Sequence, residues 1–292
     1  MISYQKFRIY IDKFFHVIVY LFSFIALIPF LSIIWTLLKK GLIHVNPNFY
    51  TQTSPSATEA ILANLSGEII PGGILNGICG SLYILLITII LTVPLGFFIG
   101  VYIHENRKQK FSIFIQYISA IFYGMPSIII GITVYVFIVK SFHSFSAWAG
   151  SVALSVLMLP MIIRATDETL KSLPTYLKES GLALGASYTS VILRVIIPTA
   201  KGNLLTGLLI SVSRILGVTA PLIVTTLGCS MVNWDITKPT SSITLLIWNF
   251  SNNPCMADMV WSTSLFLFIF IIVLNIIAKH IAWKWKITLP HE

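Results

Sequence analysis

Six stretches of this 292-residue chain are apolar over the length needed to cross a lipid bilayer, and that removes most folds from consideration. A bilayer's hydrocarbon core is about 30 Å thick, so a helix rising about 1.5 Å per residue needs roughly 20 apolar residues to span it. The stretches run approximately over 14–38, 75–103, 113–139, 145–163, 204–227 and 261–283, the fourth being the most diluted by Ser, Gly and Pro. The chain is 56% hydrophobic and only 10% charged, more apolar than the interior of a water-soluble domain accommodates. In hydrocarbon each backbone N–H and C=O must be satisfied within its own segment, so the expected fold is all-α: a polytopic membrane protein with six transmembrane helices. The first stretch is too long for the apolar region of a secretory signal and no small-residue cleavage site follows it, so it is expected to be a retained helix.

Basic residues set the expected orientation. With the N-terminus in the cytoplasm, fourteen of the 19 Lys and Arg residues fall inside. Four, Lys39, Lys40, Lys140 and Lys238, fall outside, and Arg214 lies within the fifth span. Both termini are then cytoplasmic. The division expected is 1–74 (tail, first span and outer loop), 75–283 (five-helix transmembrane domain) and 284–292 (cytoplasmic tail). The net charge of +9 follows from this topology. Its carriers are scattered among juxtamembrane turns instead of lining one soluble face, which argues against nucleic-acid binding.

The same topology puts the loop between the fourth and fifth spans on the cytoplasmic side. Ser172 with Pro174 predicts a helix start, and Leu173, Leu177, Gly181 and Leu184 recur at helical spacing as an apolar, small-residue stripe. Such a helix would seat that stripe in a partner's cleft. Ala183, Gly185 and Ala186 keep its surface slim, Gly185 permits a sharp change of direction, and Ile197-Pro198 turns the chain toward the fifth span. An ordinary amphipathic loop helix fits the same spacing.

The string Glu179-Ser180-Gly181-Leu182-Ala183-Leu184-Gly185-Ala186-Ser187, followed by Val195-Ile196-Ile197-Pro198, resembles the EAA loop of the type I ABC importer permeases. Four further segments are similar to the phosphate-importer branch of that family, of PstA type. They are Gly72-Gly73-Ile74-Leu75-Asn76-Gly77, Gly124-Met125-Pro126-Ser127-Ile128-Ile129-Ile130-Gly131, Leu159-Pro160 with Arg164-Ala165-Thr166-Asp167-Glu168, and Arg214-Ile215-Leu216-Gly217-Val218-Thr219-Ala220-Pro221-Leu222. Together they cover roughly the last three quarters of the chain. Where this branch usually carries Glu after the Gly of the last string, this chain has Val218.

The resemblance implies a permease subunit in a bacterial inner (plasma) membrane. Its loop 172–200 would couple to an ATPase through Glu179, Gly181, Ala183, Gly185 and Pro198. It implies as partners a homologous PstC-type permease, a PstB-type ATPase dimer and a PstS-type phosphate-binding protein, with membrane lipid around the bundle. A permease for another small solute, such as sulfate or molybdate, would share the loop without needing the last string. A membrane scaffold or sensor is the more distant alternative.

Within the fifth span Arg214 stands out, because an arginine in mid-membrane costs about 3 kcal/mol on insertion scales. At helical spacing it shares a stripe with Gly207, Ser211, Gly217 or Val218, and Pro221, with Thr219 close by. Its planar, permanently charged fork suits a tetrahedral oxyanion, so Arg214, Ser211 and Thr219 are expected on the substrate path. The alternative is an arginine paired with backbone carbonyls or with an acid on a neighbouring helix; no Asp or Glu falls inside the six stretches, so a carboxylate of a partner subunit is the competing reading. Arg164, at the cytoplasmic end of the fourth span, fits the positive-inside rule and also a place near the inner mouth.

Pro94, Pro126, Pro160 and Pro221 interrupt apolar spans and are expected to shape the bundle. Cys229 and Cys255 bracket the outer loop between the last two spans, where a disulfide would close it in an oxidising space, though two small residues near helix ends need no pairing; Cys79 is expected simply to pack. The loop from 39 to about 71 is polar and without periodicity, which predicts an irregular segment, either a plain connector or a contact for a solute-binding protein. There is no G-x-x-x-x-G-K-[ST] loop, and the histidines are dispersed. The chain is thus expected to be no enzyme and to need neither cofactor nor metal.

Overall fold

The computed structural model describes residues 2–43 and 45–285. Residues 286–292 of the expected tail lie outside the described residues. Twelve helices are named here in chain order: α1 Ile2–Gly41, α2 Pro47–Thr51, α3 Ala57–Ser66, α4 Leu75–Glu105, α5 Lys110–Gly124 and α6 Ser127–Phe142. They continue as α7 Ala147–Lys171, α8 Thr175–Ala183, α9 Tyr188–Leu216, α10 Ala220–Thr225, α11 Ile243–Ser251 and α12 Ala257–Trp285. Among the described residues there is no β-strand, only an isolated bridge between Leu227 and Thr240. Five helices are long and apolar enough to span a membrane, and α5 with α6 makes a sixth crossing if the pair counts as one broken span. The chain is a multi-pass membrane protein of all-α class.

The third span is not one helix. Pro126 has no N–H, and its ring crowds the residue before it out of helical geometry; Met125 sits at φ −74°, ψ 135°. α5 ends there, and α6 leaves at 102° to it. The fifth span is displaced and broken in the same way. α9 begins at Tyr188, sixteen residues before the expected start, and stops at Leu216, because Pro221 supplies no N–H to carry a helix through Gly217. Pro198 does not redirect the chain as expected. It lies inside α9, directly after a π-turn at Ile192–Ile196 in which the Ile197 N–H reaches back to the Ile192 carbonyl, the wider turn making room for the ring.

The core of the bundle is α4 laid along α7. Gly96 and Gly100 bring the backbones together: a Cβ on Gly96 would lie 2.7 Å from Ile162, and one on Gly100 2.6 Å from Thr166. Small residues four apart are how membrane helices gain contact where no hydrophobic effect draws them together. Ile84, Leu154, Met158, Val212, Ile215 and Leu222 complete this core from α4, α7, α9 and α10. α1 packs along α12, where Gly41 meets Leu265, and its apolar window within 12–41 is unburied.

The loop after α1 is not irregular. α3 opens with a capping box in which Ser56 Oγ accepts from Glu59 N–H and the Glu59 carboxylate accepts from Ser56 N–H at 2.8 Å. Hydrogen bonds from Ser56, the backbone one foremost, hold the Glu59 carboxyl below its ordinary pKa. Phe49, Ala60, Ala63 and Ile74 then pack with Leu246, Phe250 and Met259 into a second core over that end of the bundle. Cys79, Cys229 and Cys255 are all free thiols, so the 229–255 bridge is not formed. Each loop cysteine is tied by its backbone instead: the Cys229 carbonyl accepts from Asn76 and Ser241, and the Cys255 carbonyl from Asn64.

Candidate substrate path and coupling loop

The broken ends of α5 and α9 meet the middle of α7, and that junction is the candidate site. Arg214 lies in the last turn of α9, not mid-helix. There the unpaired carbonyls favour a cation by about 0.3–1 kcal/mol, so the break that Pro221 imposes is part of what makes the arginine tolerable. Its Nη1 donates to the hydroxyl of Tyr123, in the last turn of α5, at 3.1 Å, and its guanidinium carbon is 5.0 Å from the centre of that ring. Arg164 of α7 approaches the same ring at 5.5 Å and donates from Nε to Glu168 at 3.0 Å. Two guanidiniums therefore share one aromatic ring, and one of them, Arg164, also holds a carboxylate. Among the described residues Arg214 has no carboxylate within 4.0 Å.

The Arg164–Glu168 pair is 62% exposed on both sides, so its contribution to stability is small, at most about 1 kcal/mol. It lines two adjoining hollows. One, of about 250 Å³, is bounded by Gln116, Ser119, Tyr123, Pro160, Arg164, Asp167, Glu168 and Lys171. The other, of about 430 Å³ and more open, is bounded by Tyr123, Arg164, Glu168, Asn203, Thr206 and Gly207. Tyr123, Arg164 and Glu168 form the ridge common to both. α7 runs eight residues past the expected end of the fourth span, which brings Asp167 and Glu168 into the helix that carries Arg164. The sequence count of acid-free spans missed this.

Two of the expected path residues do not join the cluster. Ser211 is buried and donates to the Gly207 carbonyl of its own helix at 2.9 Å, facing the core. Thr219 precedes α10, beyond the helix break, and its carbonyl accepts from Leu222 and Ile223. Val218 packs partly buried against the central core while its carbonyl accepts from Thr244, a setting suited to an apolar side chain. Tyr123 was missed. Its only signal was an aromatic residue one position before the Gly124-Met125-Pro126 break.

At the end of the bundle where α4 and α7 finish, α8 bridges α7 and α9. Ser172 does not start it but closes α7, its N–H bonding to the Glu168 and Thr169 carbonyls; Pro174 stands at the α8 N-cap. Three positions of the expected apolar stripe, Leu173, Leu177 and Gly181, face inward, and the fourth, Leu184, does not. Leu173 and Leu177 pack with Leu170, Val191, Ile196 and Ala200, and a Cβ on Gly181 would sit 2.9 Å from Val191. Outward point Glu179, Ala183 and Leu184, the last 88% exposed, and Gly185 takes the left-handed φ of +79° that reverses the chain into α9. Periodicity finds an apolar stripe but does not say which body receives it, and here the bundle does.

α8 is also held by charge. Lys178 Nζ lies 2.5 Å from the Glu105 carboxylate at the end of α4 and 4.8 Å from the Tyr188 ring. Burial pulls the Lys178 pKa down, but the hydrogen bond and charge of Glu105 together outweigh it and hold it above the ordinary lysine value. A raised lysine pKa means the pair's contribution is complete below the unfolded value and is lost only as pH climbs through the folded one, so the pair is intact at neutral pH. Beside it Asp167 takes Lys171, Arg107 at 3.5 Å and His104 at 3.7 Å.

Residues 92–286 match the family described as binding-protein-dependent transport system inner membrane component. The chain is 32% identical over 250 residues to the phosphate transport system permease protein PstA of Haemophilus influenzae, covering 85% of each. It is 31% identical over 271 residues to the probable phosphate transport system permease protein PstA of Methanocaldococcus jannaschii, covering 92% of each. Its fold is similar to that of a chain of the MetNI methionine ABC transporter in an inward-facing conformation, with TM-score 0.58 and 20% identity, over 72% of this chain and 95% of that one. With its helices, its broken spans and its inserted α8, the chain belongs to the binding-protein-dependent transport system inner membrane component family, among the PstA-type permeases.

Proposed function

We propose that this chain is the transmembrane permease subunit of an ATP-driven importer of inorganic phosphate. It forms half of the translocation path and couples to a separate ATPase through the 172–200 loop. Membership of the PstA-type family supports the class. The observation that carries the cargo is Arg214: a permanently charged fork at a helix break, without a carboxylate partner among the described residues, sharing Tyr123 with Arg164. Two such forks answer a tetrahedral, multiply charged oxyanion with paired N–H donors.

In this reading α8 faces the cytoplasm and offers Glu179, Leu182, Ala183 and Leu184 to the ATPase, while α2, α3 and α11 face the binding protein on the other side. The partners are a homologous PstC-type permease, a PstB-type ATPase dimer and a PstS-type binding protein. The chain contributes no nucleotide-binding loop, so ATP hydrolysis is the ATPase chain's. ATPase closure draws the loops of the two permeases together and rocks the bundles about the path.

Sulfate or molybdate would meet the same guanidinium chemistry, so oxyanion competition tests the cargo. In vesicles holding the complete complex, arsenate is expected to suppress labelled phosphate uptake at comparable concentration, with sulfate and molybdate without effect at tenfold excess. Suppression by sulfate or molybdate but not by arsenate would assign the path to another oxyanion.

A further inference from the structure

We propose that Tyr123 is a positioning residue for the anion path, holding Arg214 and Arg164 as a pair and tying their spacing to the break between α5 and α6. The inference rests on the phosphate-path reading and adds a residue to it. Two guanidiniums carry like charge, and one carboxylate, Glu168, offsets only one of them. What they have in common is the Tyr123 ring, 5.0 Å from one and 5.5 Å from the other. The negative face of an aromatic ring attracts a cation over this range, and the phenol oxygen gives Arg214 a directed acceptor at 3.1 Å. The ring thus allows both forks to stand close without a second acid that would compete with an incoming anion.

Tyr123 is also placed to move. It is in the last turn of α5, and after Gly124, where an added Cβ would meet nothing within 4 Å, and Met125 the chain turns by 102°. α5 and α6 are two bodies joined at Gly124-Met125-Pro126, and a change of angle there carries the ring relative to α7 and α9. The arginines would then separate or close as the break flexes, which makes their pairing dependent on the state of the bundle.

The test uses the complete transporter in proteoliposomes, measuring labelled phosphate moved per ATP hydrolysed for wild type, Tyr123→Phe, Tyr123→Leu and Arg214→Gln. Tyr123→Phe keeps the ring and its packing while losing the oxygen, and is expected to lower the ratio about threefold. Tyr123→Leu loses both and is expected to lower it at least tenfold. A general packing role would reduce the amount of assembled complex, which the per-ATP ratio does not register. A wild-type ratio in both tyrosine variants beside a collapsed Arg214→Gln overturns the role of Tyr123 and leaves the path reading standing. A wild-type ratio in Arg214→Gln as well overturns the path reading itself. If Tyr123→Leu fails to assemble, Tyr123→Phe alone decides: a wild-type ratio overturns the proposal and a partial loss supports it.

Discussion

Arg214→Gln is expected to reduce ATP-driven phosphate uptake about a hundredfold or more while leaving membrane level and co-purification with the ATPase unchanged. The second half follows from how little the fold leans on this side chain. Arg214 is exposed at a helix end, and its contacts in the structure are the Tyr123 hydroxyl and ring. Those are worth about 1 kcal/mol for the hydrogen bond and about 0.5–1 kcal/mol for an exposed cation–π contact. The first half follows from charge. An anion taken from water into a path walled by apolar helices loses hydration worth several kcal/mol unless a fixed cation answers it, and about 2.8 kcal/mol is already a hundredfold. Arg214→Lys keeps the charge but loses the fork, and is expected to fall between. Labelled-phosphate uptake by right-side-out vesicles carrying the wild type or either variant measures both effects. Wild-type uptake by the Gln variant would take Arg214 out of the mechanism.

The second large effect is expected at α8. Lys178→Glu places a carboxylate against Glu105 at the most buried ion pair on this element, where Glu105 is 15% exposed and Lys178 35%. The helix then keeps the packing of Leu173 and Leu177 and the Gly181–Val191 contact but loses its ion pair. If the loop couples to the ATPase as proposed, uptake is expected to fall tenfold or more while the ATPase continues to turn over, because the loop would no longer pull on α4. Glu105→Lys alone is expected to do the same, and the double exchange to recover much of the loss. Neighbouring charges couple by about 0.5–3 kcal/mol in such cycles, and the partial exposure of Lys178 puts this pair toward the lower part of that range. A double variant with the two losses simply added would show that Lys178 and Glu105 act independently.

The legible parts of this molecule are those in which one number decides. Span length against bilayer thickness gives six crossings, which the structure matches when the broken α5–α6 pair is taken as one, and the run of small residues around Gly181 and Gly185 marks the inserted loop helix. The breaks were present in the text at Gly124-Met125-Pro126 and at Gly217 to Pro221, but hydropathy averages across a proline and hides a 102° turn. Ser56 and Glu59 carried a capping-box signature inside a loop whose polar composition argued for no structure. The orientation of the α8 stripe was not legible, because an apolar face suits the host bundle as well as a partner. The cluster of Tyr123, Arg164 and Arg214 was the least accessible. Its members come from three separate helices, the tyrosine and the arginine it bonds are 91 positions apart, and nothing local in the sequence relates them. Arg214 itself was found because charge in a membrane span is costly. Its neighbour was not, because one more aromatic in a chain that is 13% aromatic attracts no notice.

This chain is expected to move phosphate only as part of an ATP-driven complex. The direct measurement is to purify the chain with the proteins that accompany it, reconstitute the assembly in sealed vesicles with the loaded binding protein outside, and follow labelled phosphate with and without ATP inside. Accumulation that requires ATP, is lost with Arg214→Gln and is competed by arsenate is the expected result. Purification without an ATPase, or vesicles that hydrolyse ATP without accumulating phosphate, would contradict it.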